Sequence, residues 1–356
     1  MFKIKLILTL IFGLMIYSCM SPTDPEGISS QLEATINTGG YCLNLDYNDS
    51  LLIAAADENG YQIYTYQISS DGLFTFAFQF GNNELSTGEY FRANNVLISK
   101  IRNYFLLMDK NDGLYASSNL SDNNILTHIY SGSSNQDYIQ DVFLNENGNS
   151  ITMYTLNKNN TFCSVYLHKF LEESFHFFED ENGILWFPPG PSSTDGFSVE
   201  ASDIFLIDSL LIVANSQLGV KIIKVESNDT FSNYYSFDTP GIAETVHADS
   251  NIIFTGLGDN KGCIISPMDT TVLLMNQITI ADGYSVKGIH KQNELLALAC
   301  GDDGVLLYTC FSDGNLPLVS KIGRINSEYA YNVKIYNSNT IFVATKEGIQ
   351  IFTIER

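Results

Sequence analysis

Six glycines set the ruler for this chain. Gly60, Gly113, Gly219, Gly262, Gly304 and Gly348 each close a polar turn between two apolar, β-branched runs, at intervals of 53, 106, 43, 42 and 44 residues. A period of about 40 to 50 residues belongs to propellers and solenoids, whose units bury their faces only against neighbouring units. The double interval conceals a degenerate copy, in which Ser150 to Leu156 and Phe162 to Phe170 flank a polar turn at residues 157–161. That makes seven units.

The clearest copy is SLLIVANSQLGVKIIKVE, Ser209 to Glu226. Leu210 to Ala214 is one strand, the turn falls at Leu218-Gly219, and Val220 to Val225 is the next, which is how a hairpin reads in sequence. Adding Ser202 to Ile207 before it and Ser232 to Phe237 after it gives four short strands per unit, the size of a propeller blade. The last unit stops at Arg356 after its third strand, while Gln31 to Thr38 is a spare strand before the first unit. Pairing the two closes the ring and removes the open edges of a linear array. The fold expected is therefore all-β, a seven-bladed β-propeller spanning residues 31–356 and closed by its N-terminal strand.

Composition bounds the partners. With 45% hydrophobic and 12% aromatic residues the chain can build a large core, and a formal charge of -22 makes nucleic acid an unsuitable partner. Met1 to Lys5 is a short basic region and Leu6 to Tyr17 an apolar stretch too short to span a bilayer, so residues 1–18 read as a signal peptide. Ile16-Tyr17-Ser18-Cys19 resembles the lipobox of bacterial lipoproteins, which implies lipidation of Cys19, with Tyr17 bulkier than that pattern prefers. Residues 19–30 then form a polar, Pro-containing tether, and the address is extracytoplasmic, at the outer membrane or cell surface. Asp24 and Glu26 resemble a surface-export signal. Cys42, Cys163, Cys263, Cys300 and Cys310 lie in apolar runs without a close pair, so buried free thiols are expected. Pairing about the Asp302-Asp303-Gly304 turn places Cys300 opposite about Leu306, and no bridge to Cys310 is implied.

The repeated pattern of an apolar run, a polar turn with Gly, then Gly-hydrophobic-x-hydrophobic, as in LLIVANSQLGVKIIKV and TIFVATKEGIQIFTI, resembles the LVIVD repeat of bacterial and archaeal surface or secreted β-propellers. The resemblance covers residues 31–356 and is weak in unit three. It implies the propeller fold and an extracytoplasmic setting, and says little about activity.

Candidate sites follow from what recurs in register. Before the apolar residues of the first strands stand Asn44, Asn95, Asp141, Asp203 and Asn332, with Thr245 and Lys287 taking the place in units five and six. Innermost strands line the channel of a propeller, so these residues form either a polar channel mouth or Asx side chains that accept backbone N–H groups at strand starts. Three residues earlier stand Tyr41, Tyr138, Tyr284 and Tyr329, with Arg92, Glu200 and Ile242 in the other units. They form an aromatic collar suited to contact, or they pack between blades. The Pro/Gly-rich stretch from Phe178 to Phe197 carries the only tryptophan, Trp186, and reads equally as a recognition loop or as an outer strand with a rigid turn.

Enzyme motifs are weaker. His128, His168, His176, His247 and His290 lack metal-ligand spacing, although His247 and His290 fall in adjacent first strands and could approach the channel together. Asp109 to Gly113 lacks the alternate carboxylates of a calcium loop and reads as a turn. The expectation is a monomeric, non-enzymatic binding or assembly platform for an envelope protein or glycan, without cofactor. The competing reading is a propeller-type hydrolase or lyase using Asp141, Asp203, His247 or His290, which requires at least two carboxylates or a metal to converge at the mouth. A passive spacer is the third.

Overall fold

The computed structural model describes residues 27–355 except 71–73, 83–89, 91, 101–103, 110–112, 118–126, 131–137, 148–149, 159–162, 171–177, 180–184, 187–191, 194–196, 199, 250, 269–276 and 314–315. Seven four-stranded antiparallel sheets follow one another along the chain as blades 1 to 7. Their innermost strands are Asn44–Tyr47, Ala93–Ile98, Tyr138–Asn147, Asp203–Ile207, Ala243–Asp249, Gly288–Gln292 and Ala330–Ile335. The first packs beside the last, which closes the ring.

Closure is made by the N-terminal strand Ser29–Ile36, which is the outermost strand of blade 7 and pairs with Gly348–Glu355 from Ser29↔Glu355 to Ile36↔Ile349. It begins and ends two residues before the stretch expected from sequence. An aromatic cluster fills the same seam. Tyr47, Tyr66 and Phe74 of blade 1 meet Tyr336 and Phe342 of blade 7 with ring centroids 5.2 to 6.5 Å apart.

The core lies between blades. Within blade 4, Leu211 and Val213 belong to a cluster shared with blade 3, whereas Ile212 and Ala214 belong to one shared with blade 5. Alternate side chains of one strand thus serve two interfaces. This is why second strands such as Leu51–Ala55 are buried throughout and read as continuous apolar runs rather than alternating ones.

The turn glycines carry the geometry that makes the repeat legible. All six have positive φ, from 67° at Gly60 to 119° at Gly348. At Gly219 (φ 74°) a Cβ would also stand 2.2 Å from the Phe237 carbonyl oxygen of the outer strand, so the turn has room for no side chain. Gly219→Ala is expected to cost more than the ~1–2 kcal/mol of left-handed strain alone, while Gly283→Ala, at φ 91° with nothing within 4 Å, costs only that strain. Urea midpoints of the two variants test this, and equal losses would refute the close-approach argument.

All five described cysteines are free, buried thiols. The register corrects one expectation. Leu306 pairs with Leu298, and Cys300 instead donates its backbone N–H to the Gly304 carbonyl at 2.8 Å, because the turn is centred on Asp302 rather than Asp303.

Residues 178–193 also differ from the outer-strand reading. Phe178–Glu179 and Leu185–Trp186 pair as a separate two-stranded hairpin, and the outer strand of blade 3 is Ser192–Ser193. The Trp186 side chain and Cys19 lie outside the described residues, as do residues 1–18 and most of 19–30.

Candidate functional site

Four of the innermost strands begin with the same local device. In blades 2, 3, 5 and 7 a bulge at Asn94, Gln140, Glu244 and Tyr331 sets two residues against one, and the register resumes at Asn95, Asp141, Thr245 and Asn332. A bulge re-aims the side chain that follows it. Here those side chains meet across blades.

Asn332 Nδ2 donates to Asn44 Oδ1 at 3.0 Å, Asn44 Nδ2 to Asn95 Oδ1 at 2.5 Å, and Asn95 Nδ2 to Asp141 Oδ1 at 2.8 Å. From the other direction Thr245 Oγ1 donates to Asp203 Oδ2 at 2.6 Å. Asp141 and Asp203 join the two runs by hydrogen-bonding to each other, so the chain of side chains passes through six blades. The oxygens also accept backbone N–H groups at the starts of strands. Those of Leu45, Val96 and Val333 bond the Asn of their own blade, and those of Ile204 and Val246 bond the Asp of the preceding one. Of the two alternatives in the sequence, these bonds are the Asx strand-start cap.

Blade 6 corrects the sequence register by one residue. Its ring position, opposite Ala299 as Asn44 is opposite Ala55, is Gly288. A Cβ there would lie 3.0 Å from Asn332 Oδ1. Lys287 stands one step earlier and pairs with Glu244 at 2.6 Å, so it is not part of the ring. The same shift removes Tyr284 from the collar, and it packs instead against the core between blades 5 and 6.

Asp141 is the electrostatic centre of the ring. Burial, then the charge of Asp203 and the hydrogen bond between the two, hold its carboxyl well above the usual carboxylate range, against the lowering effect of the Ile204 and Val142 N–H groups. Asp141 therefore keeps its proton to higher pH than a free aspartic acid and can donate it toward Asp203.

Of the four tyrosines, two come together, through a third that the sequence did not single out. Tyr41, 48% exposed, lies 6.1 Å from Tyr331, which lies 4.7 Å from Tyr329. Lys346 Nζ stands 4.2 Å over the Tyr329 ring. Tyr331 was not legible as a site because the position before the ring residue holds Leu, Asn, Gln, Ser, Glu or Lys in the other blades. Tyr138 is 47% exposed on blade 3, with no ring contact among the described residues. These residues lie on the upper face, where the chain enters the innermost strands. The turns between second and third strands share that face, since Asp57 and Gly301 bridge to Ala93 and Ala330 at the starts of the next blades. Arg92 there binds Asp57 through Nε and Nη2, each at 3.0 Å.

Two residues below the ring runs a second belt: Asp46, Leu97, Phe143, Phe205, His247, His290 and Lys334. Phe143 to Phe205, Phe205 to His247 and His247 to His290 are 5.0, 4.5 and 5.6 Å apart. The two histidines do come together, as their adjacent strands allow. Their acceptor nitrogens are occupied, however, His290 Nδ1 by the Ile335 N–H at 3.0 Å and His247 Nε2 by that of Lys291 at 3.4 Å. Burial, then the charge of Lys334, lowers His247 to about 3 and His290 well below its ordinary range. Among the described residues no three His, Cys, Asp or Glu side chains converge as metal ligands. His168 is elsewhere, in the third strand of blade 3 beside Thr155.

No family model and no curated protein matches the chain. Solved structures do. The chain superposes on Saccharomyces cerevisiae Sqt1 with TM-score 0.62 and 10% identity, covering 92% of this chain and 99% of that one. The WD40 β-propeller domain of Doa1 gives 0.59 and 11%, covering 91% and 97%. The computationally designed Ika8 protein gives 0.58 and 8%, covering 91% and 100%. At such identities the likeness establishes the architecture, a seven-bladed β-propeller of the kind WD40 domains adopt.

Proposed function

We propose that this chain is a lipid-anchored, extracytoplasmic platform that docks an envelope protein on its upper face. The observation that carries this is the contiguous Tyr41–Tyr331–Tyr329 cluster, exposed at one edge on a rigid ring. Tyrosine supplies contact area at low entropic cost, and such clusters form the centres of interfaces. A protein fits better than a glycan, because stacking on a sugar needs a free ring face. Here Lys346 covers Tyr329, and Tyr331 lies against both of its neighbours. The basic and apolar segments before Cys19, and the hairpin pattern resembling LVIVD repeats, support the address.

Substituting Tyr41, Tyr329 and Tyr331 by Ala is expected to weaken capture of the principal cross-linked partner from intact cells about 30-fold or more, the effect of losing a hot spot. An unchanged partner profile would sink this reading. Cys19→Ala should in parallel abolish incorporation of labelled fatty acid.

A second reading, a hydrolase or lyase at the channel, is favoured by the convergence of Asp141 and Asp203. Both carboxyl groups already accept backbone N–H groups, which suits a brace better than a general acid and base. Turnover of any ester, lactone or glycoside that Asp203→Asn abolishes would reverse that preference.

A further inference from the structure

A cavity of about 340 Å³ is lined by belt residues and, at Asn48, Asp49 and Lys100, by the turns of the lower face, opposite the tyrosines. Its walls include Leu97, Phe143, Lys100, Glu146, His290 and Lys334. That volume is at the small end of ligand sites, about 300–1,000 Å³.

Most charges in the wall are already used. Asp46 Oδ1 binds Lys100 Nζ at 2.7 Å, and Asp46 Oδ2 accepts the Ile98 N–H at 3.0 Å. Glu146 accepts from Ser99 Oγ at 2.6 Å, Tyr104 Oη at 2.7 Å and the Lys100 N–H at 3.0 Å. Lys291, next to His290 along the strand, binds Asp249 at 2.6 Å. Asp49 stands at the exposed rim. Lys334 is different. Among the described residues its ammonium has no hydrogen-bond or ion-pair partner, and its nearest consequence is to disfavour charge on His290 and His247.

His290 supplies the second donor. Its Nδ1 accepts the Ile335 N–H, so the neutral ring carries its proton on Nε2. A cation and an N–H donor thus line one side of the cavity, and Leu97 and Phe143 offer an apolar side. From this geometry we propose that the lower cavity binds a small organic carboxylate with an apolar body, its carboxylate held by Lys334 Nζ and His290 Nε2–H and its body against Leu97 and Phe143. Charge-assisted bonds fix the head, and water exclusion retains the body. A single positive site in a chain of formal charge -22 selects a monoanion over a polyanion.

The test uses the full chain and two isosteric probes, 3-phenylpropanoate and 3-phenylpropanamide, in calorimetric titrations at low salt. The carboxylate is expected to bind saturably and the amide at least tenfold more weakly. Lys334→Met, with an unchanged melting temperature, should lose the carboxylate by at least tenfold, and Leu97→Trp should lose it by filling the cavity. If the carboxylate does not saturate, if the amide binds equally well, or if a folded Lys334→Met protein retains the affinity, the proposal is overturned. Binding of inorganic phosphate without the carboxylate overturns it too. None of these outcomes bears on the upper-face reading.

Discussion

A chain beginning at Thr38 should melt more than about 10 °C below one beginning at Gly27 and should run as a larger species than it. The removed strand, Ser29–Ile36, supplies the outer ladder of blade 7, with seven paired positions along Gly348–Glu355. At a net ~0.5–1.5 kcal/mol per hydrogen bond the ladder contributes several kcal/mol, and each kcal/mol moves the midpoint of a domain this large by about 2 °C. Apolar contacts go with it, since Ala34 and Ile36 pack against the cluster holding Ile349, Ile351 and Phe342. The strand left at the edge, GIQIFTIE, is buried along nearly its whole length. Uncovered, it is a long apolar edge, the kind that pairs with other copies. Thermal melting followed by circular dichroism, together with size-exclusion chromatography, measures both effects. A truncated chain of unchanged size and midpoint would mean that the aromatic seam around Tyr336 and Phe342 closes the ring without the strand.

That closure was legible because two sequence facts agreed: the last unit lacks a strand and the chain begins with a spare one. The blade count was legible for a stricter reason. A positive φ at all six turn glycines, with a close carbonyl at Gly219, Gly262, Gly304 and Gly348, disfavours any side chain there, so the period is written in glycine. The ring was legible in every blade where a side chain marks it and lost in blade 6, where Gly288 has none and the eye moves to Lys287. That slip carried the collar with it and drew in Tyr284. The belt two residues below the ring went unread because its seven members share a direction and no chemistry, so only the alternation of a strand, counted from the ring residue, would have revealed it. Tyr331 precedes a ring residue, at a bulge where alternation fails.

The ring makes a pH-dependent prediction that separates a brace from a reactive pair. Asp141 holds its proton more tightly folded than unfolded, where an Asp titrates near ~3.9. The stability it contributes is therefore fully present below about pH 4 and is lost as pH rises through its raised folded value. The other carboxylates of this acidic chain also repel one another more as pH rises, so comparison with a variant is needed to isolate the pair. Asp203→Asn provides it. The Asn oxygen can still accept from Thr245 Oγ1 and the Val246 N–H, and its amide can donate to Asp141, as the ring Asn residues already do around blades 7, 1 and 2. The removed charge is the largest influence on Asp141 after burial. This variant is expected to fold and to lose less stability than the parent between pH 4 and 8. Asp203→Ala instead orphans the Thr245 hydroxyl, the Val246 N–H and Asp141, at ~1–3 kcal/mol for each buried group left unpaired, and should be destabilised at every pH. Chemical denaturation of the three proteins across that range decides the matter. If Asn and Ala are equally damaging, the hydrogen bonds through Asp203 do not brace the ring. If the parent and Asp203→Asn lose stability in parallel, the charge of Asp203 does not hold the Asp141 proton.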